Sequence, residues 1–177
     1  MDDPPTATAL VFEVDEDDVL RLDMIGVDPD GDSLTYTIST SPTHGDITGF
    51  GSSRRYLPDE HYHGPDQFEY TVTDGITTSA AAVVDVTVLP VNDAPVAEPG
   101  IAFTDEDVSI DVTLTGSDIE GDFITFDYDP PLNGTLTGTP PVLSYTPDPD
   151  FFGDDTFTFR AHDGALVHDG ARDAPRR

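Results

Sequence analysis

The chain has 177 residues, room for one large domain or two small ones, and its 36 acids against 7 bases give a formal net charge of −29. A field of that sign repels nucleic acid and anionic membrane, attracts cations, and strains the fold by self-repulsion. Cysteine is absent, which excludes disulfides, thiolate zinc sites and thiol nucleophiles; nothing approaches the roughly 18 apolar residues of a membrane span, and no basic start with an apolar run marks a signal peptide.

Taken in chain order, "MDDPPT" (1–6) leads into a first strand that ends at the acidic turn "DED" (15–17). Leu20, Leu22 and Met24 then alternate with polar residues, the period of a half-buried strand. "DPDGD" (28–32) interrupts, and Leu34, Tyr36 and Ile38 resume the alternation. Beyond "HYHG" (61–64) come Phe68, Tyr70 and Val72, then "TDG" (73–75), then Val84, Val86 and Val88. "TTSAAAVVDV" (77–86) contains alanines but lacks helix caps and runs into β-branched residues, so it is read as extended.

From "VNDAPV" (91–96) the order repeats. "VDEDDVLRLDMIGVDPDGDSLTYTI" (14–38) aligns with "TDEDVSIDVTLTGSDIEGDFITFDY" (104–128), and "YLPDEHYHGPDQFEYTVTDG" (56–75) with "YTPDPDFFGDDTFTFRAHDG" (145–164). "VNDAPV" itself matches "MDDPPT". The chain therefore divides into repeat 1 (1–91) and repeat 2 (92–177). Ile110, Val112 and Leu114, then Ile124, Phe126 and Tyr128, then Phe157, Phe159 and Ala161 hold the alternating places in the second copy. Short β-branched and aromatic strands split by Gly, Pro and Asp turns predict an all-β fold of two tandem immunoglobulin-like β-sandwiches, closed on Phe, Tyr and aliphatic residues. Repeat 2 is expected to lack a full last strand, because "ALVHDGARDAPRR" (165–177) replaces the alternating valines.

Of the 36 acids, 29 are Asp and 7 are Glu. Surface solvation accepts either type, whereas loop coordination favours the shorter Asp; a salt-adapted source is the competing explanation. In such a sandwich the loop after the second strand and the loop opened by "TDG" lie at one pole, with the start of the first strand. That predicts an acidic N-terminal pole in repeat 1 built from Asp3, Asp28, Asp30, Asp32 and Asp74. The same reasoning gathers Glu16, Asn92 and Asp93 at the exit of repeat 1 with Asp118, Glu120, Asp122 and Asp163 of repeat 2. An all-oxygen ligand set of that size suits Ca²⁺. Turn chemistry alone explains Gly31 and Gly121 but not the gathering of acids. An EF-hand is excluded, since counting from Asp28 or Asp118 puts no Gly sixth and no Glu twelfth.

His61 and His63 have no counterparts in "DFFG" (150–153) and are read as surface residues, as are the solitary His44, His162 and His168. No nucleophile elbow, phosphate loop or dinucleotide turn occurs. The aromatic positions are read as core alternation, which argues against a sugar-binding surface.

Together the acidic turn, "DPDGDSLTYTI", "GPDQFEYTVTDG" and "VNDAPV" resemble the bacterial cadherin-like repeats found in tandem in large surface adhesins of the VCBS and RTX types. The resemblance covers repeat 1 and repeat 2 up to about Gly164. It implies calcium ligands of the cadherin kind at Glu16, Asn92–Asp93, Asp118–Glu120 and Asp163. Glu120 replaces the second Asp of the cadherin loop and the "DRE" motif is missing, which implies fewer ions than an animal cadherin joint holds. The expectation is a non-catalytic, extracellular or cell-surface spacer or adhesion module, stiffened by calcium between neighbouring repeats. Its partners would be calcium, adjoining repeats or identical subunits, and a cell-surface protein or glycan, without nucleic acid or membrane insertion. The alternative is a subunit of a self-assembling filament, completed by strand addition from a neighbouring chain.

Overall fold

The computed structural model describes residues 3–164. Two compact units, Met1–Val91 and Asn92–Arg177, divide the chain. Every regular element among the described residues is a strand.

In the first unit the strands are β1 (Thr6–Ala7), β2 (Leu10–Asp15), β3 (Leu20–Asp23), β4 (Gly26–Val27), β5 (Thr35–Thr40), β6 (Gly45–Phe50), β7 (Ser53–Pro58), β8 (Gly64–Thr73) and β9 (Ala82–Leu89). One sheet has the order β2-β9-β8-β5 and the other β3-β7-β6, with β1 paired to β4. β2 runs parallel to β9, which in turn lies antiparallel to β8. Period-two alternation aims one face of each sheet inward. Leu22 and Met24 therefore meet Tyr56, Phe68, Tyr70, Val72, Val84, Val86 and Val88 in a single buried cluster. Full burial of each such valine contributes about 1.5–3 kcal/mol.

Polar atoms inside this core are all spoken for. Tyr70 Oη receives the Thr8 and Ile25 amides at 3.2 and 3.1 Å. It pins the start of the chain to the residue before β4. Asp66 is 6% exposed, and its carboxylate accepts from the Thr43, His44 and Gln67 amides and from Tyr56 Oη at 2.8 Å. Gly45 is required beside this pair. A Cβ there would strike the Leu57 carbonyl and stand 2.8 Å from the Tyr56 ring.

The second unit contains β10 (Val96–Glu98), β11 (Ile110–Thr113), β12 (Thr115–Ser117), β13 (Thr125–Tyr128), β14 (Gly134–Thr139), β15 (Val142–Pro147) and β16 (Phe159–His162). Its registers copy the first. Leu20 faces Tyr56 and Ile110 faces Tyr145; Tyr36 faces Val72 and Phe126 faces Ala161. The Tyr–Asp pair recurs as Tyr145 Oη to Asp155 Oδ2 at 2.9 Å.

The second unit differs in one sheet. Among the described residues β16 pairs only with β13, where β8 pairs with both β5 and β9. Residues 99–109, which align with β2 and its following turn, form no strand. Phe157, Phe159 and Ala161 are half-buried, whereas Phe68, Tyr70 and Val72 are fully buried. The expected weakness of the last strand itself falls on residues 165–177, outside the described part of the chain.

Candidate metal centre

β-Ladder register decides which loops share a pole. Thr6 faces Val27 and Thr35 faces Thr73, so the segment before Thr6, the loop 28–34 and Asp74 lie at the same end of the first sandwich. The Asp3 amide donates to Asp30 Oδ2 at 2.8 Å, which fixes the leading segment against the loop. In the second unit Val96 faces Ser117 and Thr125 faces His162. Asn92, Asp93, the loop 118–124 and Asp163 accordingly share an end. There Asn92 Nδ2 donates to Asp163 Oδ2 at 2.7 Å.

Within each acidic loop one aspartate is the organiser. Asp28 Oδ1 accepts the Asp30 and Asp32 amides at 2.9 and 3.2 Å. Asp118 Oδ1 accepts the Asp122 amide at 3.0 Å. Gly31 and Gly121, at φ of 81° and 79°, supply the left-handed residue that turns both loops. The other oxygen behaves identically in the two copies: Asp28 Oδ2 and Asp118 Oδ2 are buried without a hydrogen-bond partner. A buried carboxylate oxygen without a donor costs several kcal/mol, on the order of a desolvated charged group. Finding it at equivalent positions ties it to the loop design.

Asp74 is held differently. Its Oδ1 accepts the Ile76 and Thr77 amides at 2.6 and 2.7 Å, and its Oδ2 the Thr77 hydroxyl at 2.8 Å. These bonds, led by that of the Thr77 amide, hold its carboxyl below the usual carboxylate range. Asp74 stays anionic while closing its own loop.

Glu16 sits at the far ends of β2 and β9, where Asp15 faces Leu89. It is 4% exposed, and its Oε1 accepts the Val91 amide at 2.7 Å. The side chain thus fastens the strand by which the chain leaves the first unit. Asn92 Nδ2 also reaches the Asp93 carbonyl at 3.0 Å. Glu120 and Asp122 are exposed on their loop. Among the described residues no three or more His, Cys, Asp or Glu side chains gather as a ready-made metal shell. All-oxygen donors are the type that hard cations take, and Asp28 Oδ2 and Asp118 Oδ2 are the buried carboxylate oxygens left without a hydrogen-bond donor among the described residues.

Two expectations from the sequence need correction. His162 is not solvated alone: it is half-buried, with Nε2 2.9 Å from Asp127 Oδ2. His44 is exposed, as expected, with its ring stacked on Tyr62 at 4.0 Å between centroids. The aromatic residues do not all follow core alternation either. Phe50, at the end of β6, and Phe123 and Phe152, in loops, are 93%, 83% and 85% exposed. Sequence reasoning also missed the Tyr56–Asp66 and Tyr145–Asp155 pairs. Their signal was a carboxylate on the inward face of an apolar strand, in step with Phe68 and Tyr70 and repeated in the second copy.

A family model described as bacterial Ig domain matches residues 2–87 and again residues 92–171. Among solved structures, human protocadherin-24 EC1-2 is similar over 91% of this chain and 94% of its own, at 14% identity and a TM-score of 0.50. The human desmocollin-1 ectodomain matches over 94% of this chain and 35% of its own, at 13% identity and a TM-score of 0.47. The endo-fucoidan hydrolase MfFcnA4 of glycoside hydrolase family 107 is 25% identical, with a TM-score of 0.43, over 90% of this chain. This chain spans only 27% of that hydrolase. No curated protein sequence matches. The protocadherin likeness is one of fold, a cadherin-like sandwich. With one family model matched twice in succession, the chain belongs to the bacterial Ig domain family and carries two tandem copies of it.

Proposed function

We propose that this chain is a non-catalytic, extracellular spacer or adhesion module whose repeats are stiffened by calcium. The observation that carries this reading is the orphaned oxygen repeated at Asp28 Oδ2 and Asp118 Oδ2. In repeat 1 the ion would be held by Asp28 and Asp30, with Asp3, Asp32 and Asp74 supplying further charge. In repeat 2 it would be held by Asp118 and Asp163, with Asn92, Asp93, Glu120 and Asp122. Bound calcium supplies positive charge that cancels repulsion among these acids, so a loose joint becomes a stiff one. A cell-surface protein or glycan is the partner class for an array of this kind.

Electrostatics support the non-catalytic reading. Glycoside hydrolysis needs one carboxyl whose pKa is raised in an apolar cleft. Burial pushes Asp66 and Asp155 upward, but amide and tyrosine hydrogen bonds outweigh it and leave both below the usual range. Asp66 and Asp155 are therefore held as anions and serve as anchors.

Thermal melting with calcium and with chelator tests the proposal. A ligand that binds only the native state contributes about 2.7 kcal/mol at a hundredfold excess over its Kd. A melting curve unmoved by chelator at moderate ionic strength would remove calcium from the account.

A second reading, a subunit of a self-assembling filament completed by strand addition, is favoured by the sequence "ALVHDGARDAPRR" (165–177), which lacks the alternating valines of repeat 1. Sedimentation separates the two, since a spacer stays monomeric and a subunit polymerises.

A further inference from the structure

We propose that the outer face of the β3-β7-β6 sheet in repeat 1 binds an acidic glycan, with a carboxylate held by Arg21 and Arg55 and a sugar ring laid on Phe50. In a chain of net charge −29, three of the seven bases fall on these strands. Arg21 faces Arg55 directly across the β3–β7 ladder, and Thr48 of β6 faces Arg55 on its other side. All three are exposed. Like charges directly opposed across a ladder destabilise a sheet, and among the described residues neither arginine forms an ion pair. Asp23, two residues along from Arg21, is held by the Ser53 hydroxyl at 2.5 Å. Asp46 faces Leu57, on the side of Arg55 away from Phe50. A third cation lies behind the face. Arg54 is 9% exposed, and its Nη1 donates to the Gly51 and Ser53 carbonyls at 2.6 and 3.0 Å, bracing the turn beside Phe50. It too lacks a carboxylate partner among the described residues.

Repeat 2 shows that the fold does not require this arrangement. In the same row Asp111 faces Ser144, which faces Thr137. Leu143, fully buried, stands at the place of Arg54, and Thr139 at that of Phe50. The cations and the ring are therefore additions of repeat 1. Two guanidinium forks in one row match the planar, bidentate geometry of a carboxylate. Phe50 faces Ser53, is 93% exposed, and is the diagonal neighbour of Arg55 across the β6–β7 ladder. Diagonal neighbours lie about 7–8 Å apart, so one ligand reaches both. A protein partner fits less well. A stable protein interface needs about 800 Å² on each side around an apolar centre, whereas this face offers Phe50 and part of Leu57. The net charge also repels an acidic protein surface. A glycan with acidic sugars spaced by neutral ones brings less charge and uses the forks and the ring.

This inference rests on the adhesion reading and is independent of calcium. The probe is a hyaluronan octasaccharide, in which acidic and neutral sugars alternate, titrated by calorimetry into the full chain in chelator at low salt. Saturable one-to-one binding is expected. Arg21→Ser combined with Arg55→Ser should weaken it about tenfold or more, the order of a hydrogen bond to a charged group. That variant should melt no lower than the parent chain, because it removes a like-charge pair. Arg21→Lys combined with Arg55→Lys keeps the charge but loses the fork, and should also weaken binding. Phe50→Thr should weaken it about threefold or more through the lost ring contact. No binding by the parent chain overturns the proposal, as does undiminished binding in the double serine variant. An octaglutamate peptide that binds as tightly as the sugar would assign the face to a protein partner and overturns it too. Failure of the sugar to bind, where calcium still raises the melting temperature, removes the glycan and keeps the spacer. Sugar binding in a chain whose melting calcium does not move keeps the glycan face and removes the stiffening.

Discussion

Asn92 Nδ2 and Asp163 Oδ2 lie 2.7 Å apart, joined by a hydrogen bond across 71 residues. The contact clamps the segment that leads into repeat 2 onto the loop that follows β16. Both residues belong to loops, so the core strands do not depend on them. Asp163→Ala is expected to weaken calcium binding about tenfold or more, the range in which even outer-shell partners of a metal act. Stability in chelator should change by no more than about 0.5 kcal/mol, as for a surface substitution. Small-angle scattering in calcium should show a broader spread of interdomain distances than the parent chain. Collapse of the fold in chelator would show that Asp163 is a structural residue.

The Tyr56–Asp66 pair locates a second dependence. Asp66→Ala orphans the Thr43, His44 and Gln67 amides and leaves the Tyr56 hydroxyl with only the His44 carbonyl. Hydrogen bonds to a charged group contribute about 1.5–3 kcal/mol each and unsatisfied donors cost more, so a loss of about 3 kcal/mol or more is expected. Tyr56→Phe removes the hydroxyl's contacts with Asp66 Oδ2 and the His44 carbonyl and should cost about 1–3 kcal/mol. Denaturant midpoints with an unchanged m-value would measure both. A loss below about 0.5 kcal/mol for Asp66→Ala would remove the pair as an anchor.

These carboxyls also set an acid limit. Asp66 and Asp155 are each held below the usual carboxylate range by amide and tyrosine hydrogen bonds, despite burial that works the other way. A depressed folded pKa contributes stability that is fully present above the unfolded value and is lost as pH falls through the folded one. Stability in chelator should thus be flat with respect to these two groups above about pH 5 and decline below about pH 4. Asp66→Asn should flatten the acid decline of repeat 1. An unchanged acid profile in that variant would assign the decline to other carboxylates.

Hydrogen exchange compares equivalent strands within one molecule. Amides of Phe157–Arg160 are expected to exchange faster than those of Phe68–Thr71, because β8 is flanked on both sides. Equal, slow exchange in a strictly monomeric sample would mean that the chain closes its own sheet, and the filament reading would lose its support.

Much of this was legible in the sequence. Period-two alternation found Leu22, Met24, Phe68, Tyr70, Val72 and the β9 valines, because a sheet with one buried face imposes that spacing. The offset between copies predicted that repeat 2 would share its loops. The parallel pairing of β2 with β9 was hidden, since alternation records which face is buried and not which strand lies alongside. Repeat 2 misled the pattern at Val112, which alternates correctly yet is only half-buried where its counterpart Leu22 is buried. Alternation promises burial only where a facing sheet is complete. At the poles, composition flagged every acid alike. Only coordinates separated Asp74, whose oxygens close its own turn, from Asp28 and Asp118, each with one oxygen left without a donor.

The central claim is that Asp28 and Asp118 each organise a calcium site, and calorimetric titration of calcium tests it most directly. The parent chain is predicted to bind calcium saturably, with each of Asp28→Asn and Asp118→Asn losing one class of sites and the double variant losing both. Both loops retain an Oδ1 acceptor in these variants, so the fold is expected to survive, as circular dichroism would verify. Calcium binding of the same stoichiometry and affinity in the double variant, or none in the parent chain, would contradict the account.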